Sequence, residues 1–286
     1  MISDITLGQF FPGFSLLHKL DPRTKLIGAI LFIVAIFMAK TPLAFLLLTL
    51  FTVAMILVSR ISLSVILRGI RPVVYILIFT SILNVFMTKG AGDPLVSFWI
   101  LEIYKEGIIR AIFMTVRVIL LIVGSSMLLT YTTSPISLTD GLESLLSPLA
   151  RLHIPVHVFS MMMTIALRFI PTLVEETDKI MNAQKSRGAD FSSGSLVRRA
   201  KALIPILVPL FVSAFKRAEE LAVAMECRCY RVDKKRSKLV KLTFRPKDFI
   251  TLAVFALFLT GIILISRMSA DLLGGGILAR VLCYRI

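Results

Sequence analysis

Two stretches of equal length decide how this chain is read: ALRFIPTLVEETDKIMNAQKSRG at 166–188 and LVPLFVSAFKRAEELAVAMECRC at 207–229. In the first, Ala166, Ile170, Leu173, Thr177, Ile180, Gln184 and Arg187 follow a 4-3-4-3-4-3 spacing. In the second, Leu207, Phe211, Ala214, Ala218, Leu221, Met225 and Arg228 follow the same 4-3-4-3-4-3 spacing. Positions spaced in this way share one helix face, so each arginine ends a stripe able to pack against a partner. Glu175, Glu176, Asp178 and Lys179 keep the other face of the first helix polar, and Lys216, Arg217, Glu219 and Glu220 do so in the second. The region 155–231 is thus expected to be two long helices, and what precedes it a membrane anchor.

Composition agrees. The chain is 57% hydrophobic with a mean hydropathy of +0.87, too apolar for an ordinary soluble domain, yet its formal net charge is +16. A polytopic membrane protein with a concentrated basic region on one side accounts for both facts. Long apolar runs argue against the other reading of a basic chain, nucleic-acid binding. The cysteines Cys227, Cys229 and Cys283 supply neither a disulfide framework nor a complete metal set. No signal peptide is expected, because no basic segment leads directly into an apolar run and cleavage site.

Five apolar runs are the expected spans: 26–39, 43–58, 72–87, 107–130 and 249–265. The first two form a hairpin turning at Lys40-Thr41-Pro42. Residues 60–71 suit a short interfacial helix, with Pro72 near the start of the third span. Residues 88–106, with Gly90, Gly92, Asp93, Pro94 and Trp99, suggest an external loop with a little strand at 96–100. Of the 33 lysines and arginines, 25 fall on the side holding the N-terminus and residues 151–247, which makes that side cytoplasmic and the C-terminus external. Ser137 and Asp140 have capping-box spacing ahead of a helix carrying Leu142, Leu145, Leu146 and Leu149. The next two helices start apolar, become charged, and are separated by a turn bracketed by Gly188 and Gly194, with a bend expected at Pro171. The fold class is all-α: a polytopic membrane protein of five spans plus a cytoplasmic part of three helices. Its expected divisions are 1–131, 132–247 and 248–286, and Gly274-Gly275-Gly276 with the remaining tail reads as flexible.

Several residues invite a site. Arg117 lies inside the fourth span, where an ionisable group is expensive; function and structural pairing both fit, and no partner is evident in the sequence. Asn84 suits a hydrogen bond between helices. His153 and His157 have zinc-like spacing, but Pro155 intervenes and no carboxylate completes the set. Packing is the simpler role for Cys227 and Cys229, and Met161, Met162 and Met163 read as membrane-facing or core filler rather than a metal path. No Gly-x4-Gly-Lys-Ser/Thr segment occurs, so the chain carries no phosphate-binding loop of its own. Two arginines at the same phase of two similar seams instead point to docking, since the guanidinium fork suits a partner carboxylate.

At these residues the chain resembles the transmembrane component of energy-coupling-factor transporters (the EcfT/CbiQ family), importers of the ATP-binding-cassette class. Leu20-Asp21-Pro22-Arg23-Thr24-Lys25-Leu26, Thr132-Thr133-Ser134-Pro135 and Arg168-Phe169-Ile170-Pro171 look like family landmarks. Ala183-Gln184-Lys185-Ser186-Arg187-Gly188 and Met225-Glu226-Cys227-Arg228-Cys229-Tyr230 stand where the family has two Ala-Arg-Gly motifs. Ser186 replaces the first alanine; Cys227 and Cys229 replace the second alanine and the glycine. The resemblance implies that Arg187 and Arg228 each dock on one of two ATPases, homologous or identical, while other parts cradle a small substrate-binding membrane subunit. It also implies a prokaryotic cell (cytoplasmic) membrane, uptake of vitamins or other micronutrients, no catalysis by this chain, and ATP with magnesium on the partner ATPases only. The competing reading is a stand-alone carrier or membrane enzyme. Against it, the spans hold almost no Asp or Glu and none of the three histidines.

Overall fold

A computed structural model describes residues 11, 13, 15–88, 96–98, 101–152, 155–189, 191, 195–231 and 243–272. The expectations for Gly90, Gly92, Asp93, Pro94, Trp99, His153, Gly194, Cys283 and 274–276 lie outside the described residues. The chain divides into two compact units, one mostly of residues 143–241 and the other of 9–142 with 242–286.

Capping residues set the starts of the first helices. α1 (Pro22–Met38) begins where the Asp21 carboxylate accepts from Arg23 N at 2.9 Å, with Pro22 at a position whose N–H would be unpaired anyway. α2 (Pro42–Ser59) repeats the device with Thr41 Oγ1, which accepts from Ala44 N at 3.3 Å. α3 (Leu63–Met87) corrects the sequence reading: it is one continuous helix, with Pro72 inside it rather than opening a span. Pro72 removes only the bond to the Arg68 carbonyl, and Arg68 is exposed, so solvent or headgroups can meet that group.

Strands β1 (Val96–Phe98) and β2 (Leu101–Ile103) form a small antiparallel hairpin, with Val96 opposite Ile103. α4 (Lys105–Ser125) runs into a π-helical turn, Ser126–Tyr131. α5 (Pro135–Leu146) starts earlier than the capping-box reading placed it, because Ser134 Oγ rather than Ser137 accepts from Ser137 N at 3.2 Å. A 3₁₀ segment, Ser147–Leu152, leads to α6 (Val156–Ser186), α7 (Leu196–Cys227) and α8 (Pro246–Leu272).

The described chain is overwhelmingly helical, as a polytopic all-α membrane protein requires. Among the described residues, five helical stretches are long and apolar enough to cross a membrane: α2, α3, Lys105–Tyr131, α6 and Pro246–Met268 of α8. Four of these are spans read from the sequence. α1, the remaining one, has 17 residues, which puts it at the short end of a crossing. α6 joins the set because its 31 residues begin with an apolar stretch.

The larger unit has one core. Phe32, Ile36, Leu48, Met127 and Leu128 are fully buried where α1 meets α2, α4 and the π turn. Close approach is set by glycine: a Cβ on Gly124 would collide with the Phe32 ring, and one on Gly28 would come within 3.3 Å of Phe255. α8 is held by Phe258 stacked on Phe51, ring centroids 4.0 Å apart, and by Ser266 Oγ donating to Met38 O at 3.1 Å. Arg117 finds the partner its sequence left unnamed. Its Nη2 donates to Ala39 O at 3.0 Å, at the carbonyl end of α1, and its guanidinium lies 5.3 Å over the Phe45 ring. Asn84 bonds within its own helix, donating to Thr80 O at 2.9 Å, rather than between helices.

Candidate functional site

The two arginines sit on helix ends built alike. α6 runs 31 residues and α7 32, and each stops on its arginine. At the end of α6, Gly188 N donates to Lys185 O at 2.9 Å and Ala189 N to Gln184 O at 3.0 Å. At the end of α7, Cys229 N donates to Glu226 O at 2.8 Å and Tyr230 N to Met225 O at 2.9 Å. Both pairs are the crossed bonds of a Schellman cap, which needs a left-handed residue just past the helix. Gly188 takes that place at φ +86, and Cys229 at φ 55. The cysteine therefore reproduces the glycine's turn, at a conformational cost that glycine would not carry.

Around the caps, Ser186, Arg187, Gly188, Cys227, Arg228 and Cys229 are all exposed, and both cysteines are free thiols. Each guanidinium is thus carried on the last turn of a rigid helix and open to a partner. Among the described residues no cluster of three or more His, Cys, Asp or Glu offers a metal site. His157 Nδ1 instead lies 3.1 Å from Glu143, a carboxylate the sequence reading did not connect with it.

The seams are partly covered. Ile170, Leu173, Thr177, Ile180 and Gln184 form a half-buried stripe on α6, while Ala166 is exposed. On α7, Ala214, Leu221 and Met225 are half-buried; Leu207, Phe211 and Ala218 are exposed, and Ser213 and Arg217 lie on the covered side. The helices meet there through a polar clasp. Ser213 Oγ donates to Glu176 Oε1 at 2.5 Å, and Arg217 Nη2 donates to Glu176 Oε2 at 2.8 Å. The signal was present, since Glu176 and Arg217 are of opposite charge and occupy matching positions in the two stretches. In their N-terminal halves, both helices expose large apolar side chains: Phe159, Met162 and Met163 on α6, and Leu207, Val208 and Phe211 on α7.

In the larger unit, two of the landmark motifs touch. Lys25, only 3% exposed, donates to Thr132 O at 2.7 Å just beyond the π turn. Asp248, at the start of α8 and 2% exposed, accepts from Asp21 N at 2.9 Å and Arg245 N at 2.8 Å. The 20–26 motif therefore ties the first helix to the end of the fourth and the start of the last.

Known proteins are similar to this chain along most of its length. A family described as cobalt transport protein, CbiQ, matches residues 13–239. The "Energy-coupling factor transporter transmembrane protein EcfT" of Clostridium kluyveri is 50% identical over 94% of this chain and 98% of its own length. Proteins with the same description are 54% identical in Brevibacillus brevis (89% of this chain, 95% of theirs) and 48% identical in Bacillus subtilis (87% and 93%). With that similarity along nearly its whole length, this chain belongs to the EcfT/CbiQ family of energy-coupling-factor transporter transmembrane proteins.

Proposed function

We propose that the chain couples ATP hydrolysis in two cytoplasmic ATP-binding-cassette subunits to movement of a small substrate-binding membrane subunit, for uptake of vitamins or other micronutrients. The observation that carries this reading is the matched pair of Schellman-capped tips, which present Arg187 and Arg228 in one local geometry. Two like sockets, one per ATPase, need two like plugs. An arginine on a capped helix end has its direction fixed by the backbone, so a bidentate pair with a socket carboxylate transmits force as well as affinity. The exposed apolar faces of α6 and α7 fit the membrane subunit, and substrate choice rests with that subunit. ATP and magnesium stay on the ATPases, and this chain catalyses nothing itself. Residues 1–131 and 248–286 hold the membrane, and 132–247 carry the coupling helices on the cytoplasmic side with the N-terminus; the C-terminus lies outside. The reading is tested by purifying the chain from its native cell in mild detergent. ATPase subunits and small apolar membrane proteins should accompany it. Purified chain that takes up substrate into vesicles with no ATPase would contradict the proposal.

A further inference from the structure

We infer that the Glu176–Ser213–Arg217 clasp is the fulcrum about which α6 and α7 turn against one another, an inference that rests on the coupling role proposed above. Its place in the two helices carries the argument. Glu176 lies eleven positions before Arg187, and Arg217 lies eleven positions before Arg228. At 1.5 Å per residue each arm is about 16 Å long. Equal arms on one pivot move their tips by equal amounts, so neither ATPase is driven further than the other.

The arms are also the stiff parts of these helices. Residues 177–186 and 218–227 contain no proline or glycine, whereas Pro171, Pro205 and Pro209 all lie on the other side of the clasp. Prolines remove backbone bonds and let a helix bend, so compliance is confined to the apolar halves and rigidity to the arms. Around the clasp the covered seam is apolar or small, through Leu173, Thr177, Ile180, Ala214 and Leu221. Contacts of that kind tolerate sliding, whereas a directional polar pair fixes register. Among the described residues, Glu176–Arg217 is the one arginine–carboxylate ion pair. With side chains 23% and 38% exposed it adds little to stability, so register is the property to measure.

Spin labels at Asn182→Cys and Val223→Cys, two exposed positions each six residues beyond the clasp and five before its arginine, report the separation of the arms. They are placed in a background with Cys227→Ala, Cys229→Gly and Cys283→Ser, and the chain is purified with its ATPases. Pulsed electron resonance then gives the label distance without nucleotide and with ATP plus vanadate. With the clasp intact, one narrow distance is expected in each state, with a shift between them. Glu176→Gln with Arg217→Met should lose the narrow distances while ATPases still co-purify, and the swap Glu176→Arg with Arg217→Glu should restore them. Narrow, shifting distances in the clasp-free chain overturn the fulcrum alone, as does a swap that fails to restore them. An intact-clasp chain that retains no ATPase, or whose labels do not respond to nucleotide, overturns the coupling reading and this inference with it.

Discussion

Exchanging the two residues past the helix ends should move those ends in opposite directions. Gly188 and Cys229 occupy the same left-handed site of two Schellman caps, at φ +86 and φ 55. A Cβ on Gly188 would meet nothing within 4 Å, and Cys229 is exposed, so packing changes little in either exchange. What remains is backbone strain. A non-glycine residue in the left-handed region costs about 1–2 kcal/mol, and glycine returns part of that through its freer unfolded chain, leaving about 1 kcal/mol. Gly188→Ala should therefore weaken the end of α6 by about 1 kcal/mol, and Cys229→Gly should strengthen the end of α7 by a similar amount. In local opening equilibria that is a factor of about five. Hydrogen exchange followed by mass spectrometry on peptides covering 184–189 and 225–231 reads both directly. Faster exchange at 184–189 in Gly188→Ala, with slower exchange at 225–231 in Cys229→Gly, is the expected result. Changes of the same sign at both ends, or no change at either, would refute the claim that the cysteine stands in a glycine's place.

Two further perturbations probe the membrane unit. Asp248→Ala removes the acceptor for Asp21 N and Arg245 N at a buried site, so thermal unfolding in detergent should show a loss of about 1–3 kcal/mol; an unchanged midpoint would rule out a staple between α1 and α8. Gly124→Leu drives a side chain into the Phe32 ring and should cost about 1–3 kcal/mol or more in the same assay, whereas Gly261→Leu, with open space around it, should be nearly neutral.

How far the sequence could be read depended on the range of the interactions. The ends of α6 and α7 were legible because periodicity, a terminal arginine and a following turn all lie within a few residues. The caps at Asp21-Pro22 and Thr41-Pro42 are equally local, yet apolarity alone starts the first two runs later, at 26 and 43, because the first helical turn is not apolar throughout. By contrast, the partner of Arg117 is a carbonyl 78 residues away, and that of Asp248 is an amide 227 residues away, distances that no local spacing encodes. Continuity of α3 through Pro72 was hidden because proline is a true stop signal where tertiary packing does not override it. The π turn at Ser126–Tyr131 reads as ordinary apolar helix, since one inserted residue hardly alters the hydrophobic pattern. In the candidate site, the seam on α7 shifted from Ala218 towards Arg217. An arginine counted as a polar flank is drawn to the covered side by a carboxylate on the neighbouring helix, and its long apolar stem tolerates that cover.

The central claim is that Arg187 and Arg228 are the points at which ATPases hold this protein. Reversing both charges, Arg187→Glu with Arg228→Glu, alters two exposed tips and leaves both caps and the buried core intact. Losing one member of a buried interfacial charge pair costs about 2–5 kcal/mol, so reversing both should weaken docking by several orders of magnitude. Co-purification from membranes in mild detergent measures it directly. The double variant should insert and purify at wild-type yield with no ATPase bound; ATPases retained at wild-type stoichiometry would contradict the account.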